Sequence, residues 1–188
     1  MCSITALLEL SSPSDAARLE VLRASKLQRH RGPDWSGVYQ GDRAIIAHER
    51  LSIVDVESGA QPLIDPERGT VLAVNGEIYN HRKLKANSTY PYQTGSDCEV
   101  ILDLHRQHGP ELVQHLSGMY AFVLHEPATG NWLIGRDPIG IIPLYFGRDL
   151  EGRLWVASEL KAIAPQCPDV QAFPPGHAQA HNIFRQLT

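Results

Sequence analysis

The chain has 188 residues, 43% of them hydrophobic, which is enough for one substantial core and too little for two large ones. A net charge of -4, with Lys and Arg scattered rather than clustered, gives no footing for a phosphate backbone and argues against nucleic acid as a partner. Cys2, Cys98 and Cys167 form no CxxC pair and are odd in number, which argues against a disulfide framework or a thiolate zinc site and fits a reducing cytoplasm.

In chain order, residues 2–10 read as a buried strand. The stretch lacks a basic leader and meets Glu9 almost at once, so it is not a signal peptide, and no apolar run approaches the roughly 20 residues that cross a bilayer. No membrane contact is expected. Ser11 to Asp15 supply turn residues and a cap for a helix whose apolar positions are Ala16, Leu19, Leu22 and Leu27 and which stops before Gly32-Pro33. Short β-type runs follow, among them AIIAHER, VLAVNGEIYN, MYAFVLHE, NWLIGRD and LWVASE, separated by Gly, Asp and Pro as in antiparallel hairpins. A helix from about Cys98 to His108, capped by Ser96 or Asp97, ends at Gly109-Pro110, and Pro110 opens a further helix over ELVQHL. This order predicts an α+β fold of antiparallel sheets covered by helices. Residues 1–165 read as the domain, and 166–188, rich in Pro, Gln, His and Ala, as a linker or frayed tail.

A cysteine directly after the initiator Met is small enough to permit removal of Met1, which would expose an α-amine of ordinary pKa roughly 7.7 to 8.0 beside a thiol. One residue then supplies nucleophile and general base. Position alone allows the plainer reading of a small buried hydrophobe. Arg50 and Glu77 could likewise be a surface ion pair, Asn75-Gly76 a hairpin turn, and Asp97 a helix cap. His105 and His108, spaced i and i+3, lack a carboxylate or Cys motif to complete a metal site, so no metal is expected. Cys98 reads as a packed thiol.

Seven segments weigh against the plain readings: MCSI, RHRGPDWSG from Arg29, AHERLSIVD from Ala47, GAQPL from Gly59, VNGEIYNH from Val74, TGSDCEVIL from Thr94 and GRDPIGIIPLY from Gly135. In this order, over nearly the whole chain, they resemble the glutaminase domain of class II glutamine amidotransferases, most closely that of the bacterial-type asparagine synthetase B family. The resemblance implies an N-terminal nucleophile (Ntn) hydrolase fold, a four-layer α/β/β/α sandwich with two antiparallel sheets. It implies hydrolysis of the glutamine side-chain amide through a Cys2 thioester, with Asn75 and Gly76 as the oxyanion hole. Arg50 would take the substrate carboxylate, Leu51, Ser52, Ile53 and Val54 would line the pocket, and Glu77 and Asp97 would hold the α-ammonium. The RHRGPD stretch, with Arg29 and Arg31, would be a loop near the site. No cofactor is implied for this step; ATP and Mg belong to a synthetase domain whose SGGxDS-type loop does not occur in these residues.

Where the family usually continues Phe-Gly after MCSI, this chain has Thr5, Ala6 and Leu7. The expected partners are L-glutamine and either a synthetase domain of a longer parent or a separate ammonia-accepting enzyme, with a homodimer left open. The competing functions are a free-standing amidotransferase subunit and a non-catalytic glutamine-binding module.

Overall fold

The computed structural model describes residues 1–12, 14–52, 59–181 and 183–186, the last four by their backbone alone. Two antiparallel sheets lie face to face. The first has the strand order β10-β8-β9-β1-β3-β2, from β1 (Ser3–Leu8), β2 (Trp35–Gln40), β3 (Ala44–Arg50), β8 (Tyr145–Arg148), β9 (Leu154–Ala157) and β10 (Asp169–Ala172). The second has the order β12-β11-β7-β6-β5-β4, from β4 (Leu63–Ile64), β5 (Val71–Ile78), β6 (Gly118–His125), β7 (Trp132–Arg136), β11 (His177–Ala180) and β12 (Ile183–Gln186).

Strand alternation sorts the apolar residues into three layers of filling. Ile4, Ala6 and Leu8 of β1 meet Ala73 of β5 and Val123 of β6 between the sheets. Leu7, one residue out of phase, packs outward against Ala17, Val21 and Ala24 of α1 (Asp15–Lys26) and against Ala162 and Ile163 of α4 (Leu160–Ile163). On the far side, Leu72, Val74 and Phe122 pack against Ile101 and Leu104 of α3 (Val100–His108), with Leu84 of α2 (His81–Ala86) at the margin. The result is the four-layer α/β/β/α arrangement of the Ntn hydrolase fold.

Several local expectations change. Ser14 caps α1 by accepting Ala17 N–H at 3.0 Å, a contact worth about 1 kcal/mol. The buried face of α1 is Ala17, Val21, Ala24 and Ser25, whereas Leu19 and Leu27, assigned to the apolar face, are 53% and 48% exposed. Polar pairs set this phase: Ser25 Oγ donates to the buried Glu49 carboxylate at 2.7 Å, and Gln28 Nε2 donates to Ile4 O at 3.1 Å. Gln28 Nε2 also donates to Thr5 Oγ1 at 2.7 Å, so a polar pair fills the space under the helix.

Ser96, not Asp97, is the cap before α3, accepting Cys98 N–H, and residues 97–99 and 109–115 are 3-10 rather than α-helix. The helix α2 was not foreseen; its leading Asn80 makes no side-chain cap bond. The segment from 166 is strand at three places. Asp169–Ala172 pairs with β8, His177–Ala180 with β7, and Ile183–Gln186 with β11. At its sheet's edge, β10 can carry Asp169 and Gln171 because both side chains meet water.

Candidate active site

Cys2 sits at the head of β1, the strand held on both flanks by β3 and β9. Its backbone and thiol are each gripped. Arg31 Nε donates to Cys2 O at 3.0 Å while Arg31 Nη1 reaches Glu159 at 3.2 Å, so one half of the RHR stretch orients the residue that bears the thiol. The other half turns away, with Arg29 Nη1 bound to Glu49 at 2.7 Å. Leu51 N–H points at Cys2 Sγ at 3.4 Å, and Sγ–H points at Leu51 O at 3.6 Å. Burial pushes the Cys2 thiol above its ordinary value, against smaller opposing pulls from Leu51 N–H, the chain's amino terminus and the Arg50 guanidinium. The resting group is a thiol and would need a base to act as a nucleophile.

Across the inter-sheet layer, β5 presents an edge whose polar groups can be followed one by one. Tyr79 N–H bonds Ser117 O at 2.7 Å, which sets the ladder alternation with β6, so Val74, Gly76 and Ile78 turn their backbone groups to the opposite edge. There β4 pairs only with Val71 and Leu72. Beyond it, side chains take over. Gln61 Oε1 accepts Val74 N–H at 2.7 Å and His48 Nε2 donates to Val74 O at 2.9 Å. Cys98 Sγ lies 3.9 Å from Gly76 O, and Asp97 Oδ2 accepts Ile78 N–H at 2.7 Å. Gly76 N–H is left without a hydrogen-bond partner among the described residues.

Gly76 cannot be replaced cheaply. Its φ is +147°, and a Cβ there would lie 2.1 Å from Met119 O. Neighbouring Asn75 is 1% exposed, and neither its amide oxygen nor its amide nitrogen has a partner among the described residues. Burying both atoms of an amide unpaired costs a few kcal/mol, roughly 1 to 3 per group, so the arrangement is one that a ligand would complete.

Several of these groups border one cleft that opens to solvent. Met1, Cys2, Arg50, Leu51, Asn75, Gly76, Glu77 and Asp97 line it. The structure thus gathers Cys2, Arg50, Leu51, Asn75, Gly76, Glu77 and Asp97 from the predicted set. Ser52 is not among the lining residues; its N–H is bound to Asp34 Oδ2 at 2.8 Å. Ile53 and Val54 lie outside the described residues. Arg50 and Asp97 are each 6% exposed, while Glu77 is half-buried and makes no ion pair among the described residues. Asp97 is already committed on one oxygen to Ile78.

Asn75 and Gly76 lie inside β5, so the hairpin-turn reading of that dipeptide does not hold. Gln61, Ser96, Cys98, Met119 and Ile142 also line the cleft and were not singled out as its walls. Of these, Gln61, Ser96, Cys98 and Ile142 carried a signal, since each stands in one of the seven segments, whereas Met119 does not. His105 and His108 lie elsewhere: His105 faces Glu126 at 3.5 Å, and His108 stacks on His115 with ring centroids 4.0 Å apart.

Residues 1–181 match the glutamine amidotransferase domain family. Asparagine synthetase B (glutamine-hydrolyzing) of Escherichia coli is 54% identical over 178 residues, covering 94% of this chain and 32% of that protein. Asparagine synthetase (glutamine-hydrolyzing) of Brassica oleracea is 46% identical, covering 94% of this chain and 30% of that protein. The chain thus spans about a third of the length of these curated relatives. Among solved structures, the glutamine phosphoribosylpyrophosphate amidotransferase from B. subtilis superposes with a TM-score of 0.79 at 19% identity, covering all of this chain and 49% of that one, which establishes the shared fold. The chain belongs to the glutamine amidotransferase domain family.

Proposed function

We propose that this chain hydrolyses the side-chain amide of L-glutamine to glutamate and ammonia, with Cys2 as nucleophile. The observation that carries the reading is the buried, unpartnered Asn75 amide lining the same cleft as the Cys2 thiol. After removal of Met1, the Cys2 α-amine takes the thiol proton as sulfur attacks the carboxamide carbon. The Asn75 side chain and Gly76 N–H receive the charge that develops on the carbonyl oxygen. The C–N bond then breaks, the ammonium of Cys2 returns its proton to the leaving nitrogen, and ammonia departs. Water, deprotonated by the same amine, attacks the thioester carbon, and glutamate leaves as the sulfur recovers its proton. Arg50 takes the substrate carboxylate by a two-pronged contact, and Glu77 with the outer oxygen of Asp97 takes the α-ammonium.

The relatives are named asparagine synthetases, and we propose on that ground that the ammonia goes to asparagine, made from aspartate with ATP and magnesium in a synthetase portion outside the matched domain. Three cysteines without a disulfide suit a cytoplasmic setting. Among the described residues no helix is long and apolar enough to cross a membrane. The test is glutamate release from glutamine by the parent chain and by Cys2→Ala, with the amino-terminal mass measured on the same samples. Activity is expected only where Cys2 is present and Met1 is gone. Retained activity in Cys2→Ala, or full activity with Met1 in place, sinks the mechanism.

A further inference from the structure

Along the edge of β5 the two groups bonded to Val74 stand apart from the rest, because neither has a place in the chemistry above. Gln61 lies two residues before β4 begins, so a strand extended backwards in register would have set its backbone opposite Val74. Instead its side chain reaches in and takes Val74 N–H at 2.7 Å. His48, fully buried on β3 of the other sheet, donates to Val74 O at 2.9 Å, and its Nδ1 has no partner among the described residues. Val74 C=O and Asn75 N–H share one rigid peptide plane. The His48 bond therefore fixes the plane from which Asn75 departs, and the Gln61 bond fixes the plane before it. Since no described residue bonds the Asn75 amide, its aim depends on that backbone and on packing alone.

We propose that Gln61 and His48 are positioning residues for amide hydrolysis, replacing a missing neighbour strand along β5 and holding Val74 so that the Asn75 amide and Gly76 N–H face Cys2. The inference rests on the glutaminase reading given above. Burial holds the His48 pKa down to about 4, so near neutral pH the ring is uncharged, and donation to a carbonyl places its one proton on Nε2.

The experiment compares the parent with Gln61→Met, His48→Met and His48→Gln, measuring kcat and KM for glutamine and the rate of Cys2 alkylation by iodoacetamide, which needs no oxyanion hole. Misplacing oxyanion donors costs roughly ten- to a hundredfold. Both Met variants are expected to lose kcat by that factor with KM within about threefold and alkylation within about twofold of the parent. His48→Gln, whose amide can donate from the Nε2 position, is expected to recover kcat to within about tenfold of the parent. Unchanged kcat in Gln61→Met overturns the proposal, as does a loss confined to KM or a matching loss of alkylation. If the Met variants do not fold, His48→Gln decides: near-parent kcat supports the role, and a folded protein with a greater than hundredfold loss overturns it. A parent chain that releases no glutamate overturns the glutaminase reading itself, before any variant is compared.

Discussion

The two ends of β5 treat buried polarity in opposite ways. At its start, in the turn from β4, Asp65 is 1% exposed and every direction around its carboxylate is used. Arg106 donates to both oxygens, Glu67 N–H and Arg68 N–H donate to Oδ1 at 2.9 and 2.8 Å, and Tyr90 Oη stands 3.5 Å from Oδ2. Ten residues on, in the second half of the strand, the equally buried Asn75 amide has no partner among the described residues. The saturated group ties two segments together and is costly to break, whereas the unsaturated one carries a desolvation cost that a ligand would relieve. Along a single strand, polar satisfaction separates scaffold from site.

The difference can be broken by experiment, and the largest effect should come from Asn75→Leu. It is expected to lower glutaminase kcat by about 10²- to 10³-fold, as for loss of an oxyanion donor, while the thermal midpoint holds or rises because no protein hydrogen bond is lost. A fall in midpoint with activity intact would place Asn75 with the scaffold. Asp65→Ala should do the reverse: a loss of about 3 kcal/mol in denaturant unfolding, from an Arg106 left without its main partner, with kcat unchanged in the folded protein.

An intermediate effect is expected from pH. Burial moves His48 from 6.5 to about 4, so the folded state resists a proton that the unfolded chain accepts. That contribution is fully present above about pH 6.5 and is lost as pH falls toward 4, by roughly 3 kcal/mol in all. His48→Gln should flatten this part of the stability profile; an unchanged profile would show that His48 titrates normally. The smallest effect is reserved for Tyr90→Phe, which removes a long contact to Asp65 and should cost less than about 1 kcal/mol.

Much of this was legible in the residues because β3, β5 and β6 carry long apolar runs bounded by turn residues, and because the cleft draws on ordered segments that each resemble a family motif. What stayed hidden depended on partners distant in sequence. The phase of α1 follows from Ser25 and Gln28 meeting β3 and β1, so the Leu positions that look core-forming on a helical wheel face outward. The strands at 169–186 carry too much polarity to be recognised by alternation, and their pairing comes from β8 and β7. Arg31 looked like one of two equivalent basic residues beside Gly32; only the fold brings it to Cys2, 29 positions earlier in the chain. Gln61 was visible as part of a motif, yet its bond to Val74 depends on where β4 begins.

The apolar layer between the sheets has a consequence that reaches past stability. Cys2 heads a strand of one sheet and the proposed oxyanion donors ride on the other, so the distance between attacking sulfur and stabilising N–H groups is spanned by Ile4, Ala6, Ile46, Ala73 and Val123. These side chains act as a spacer of fixed thickness, and an interior packed like an organic crystal yields little before it shifts. Trimming one of them, far from any substrate, changes the separation on which bond-making depends. For this molecule the tolerance of the chemistry is set by the gauge of its core.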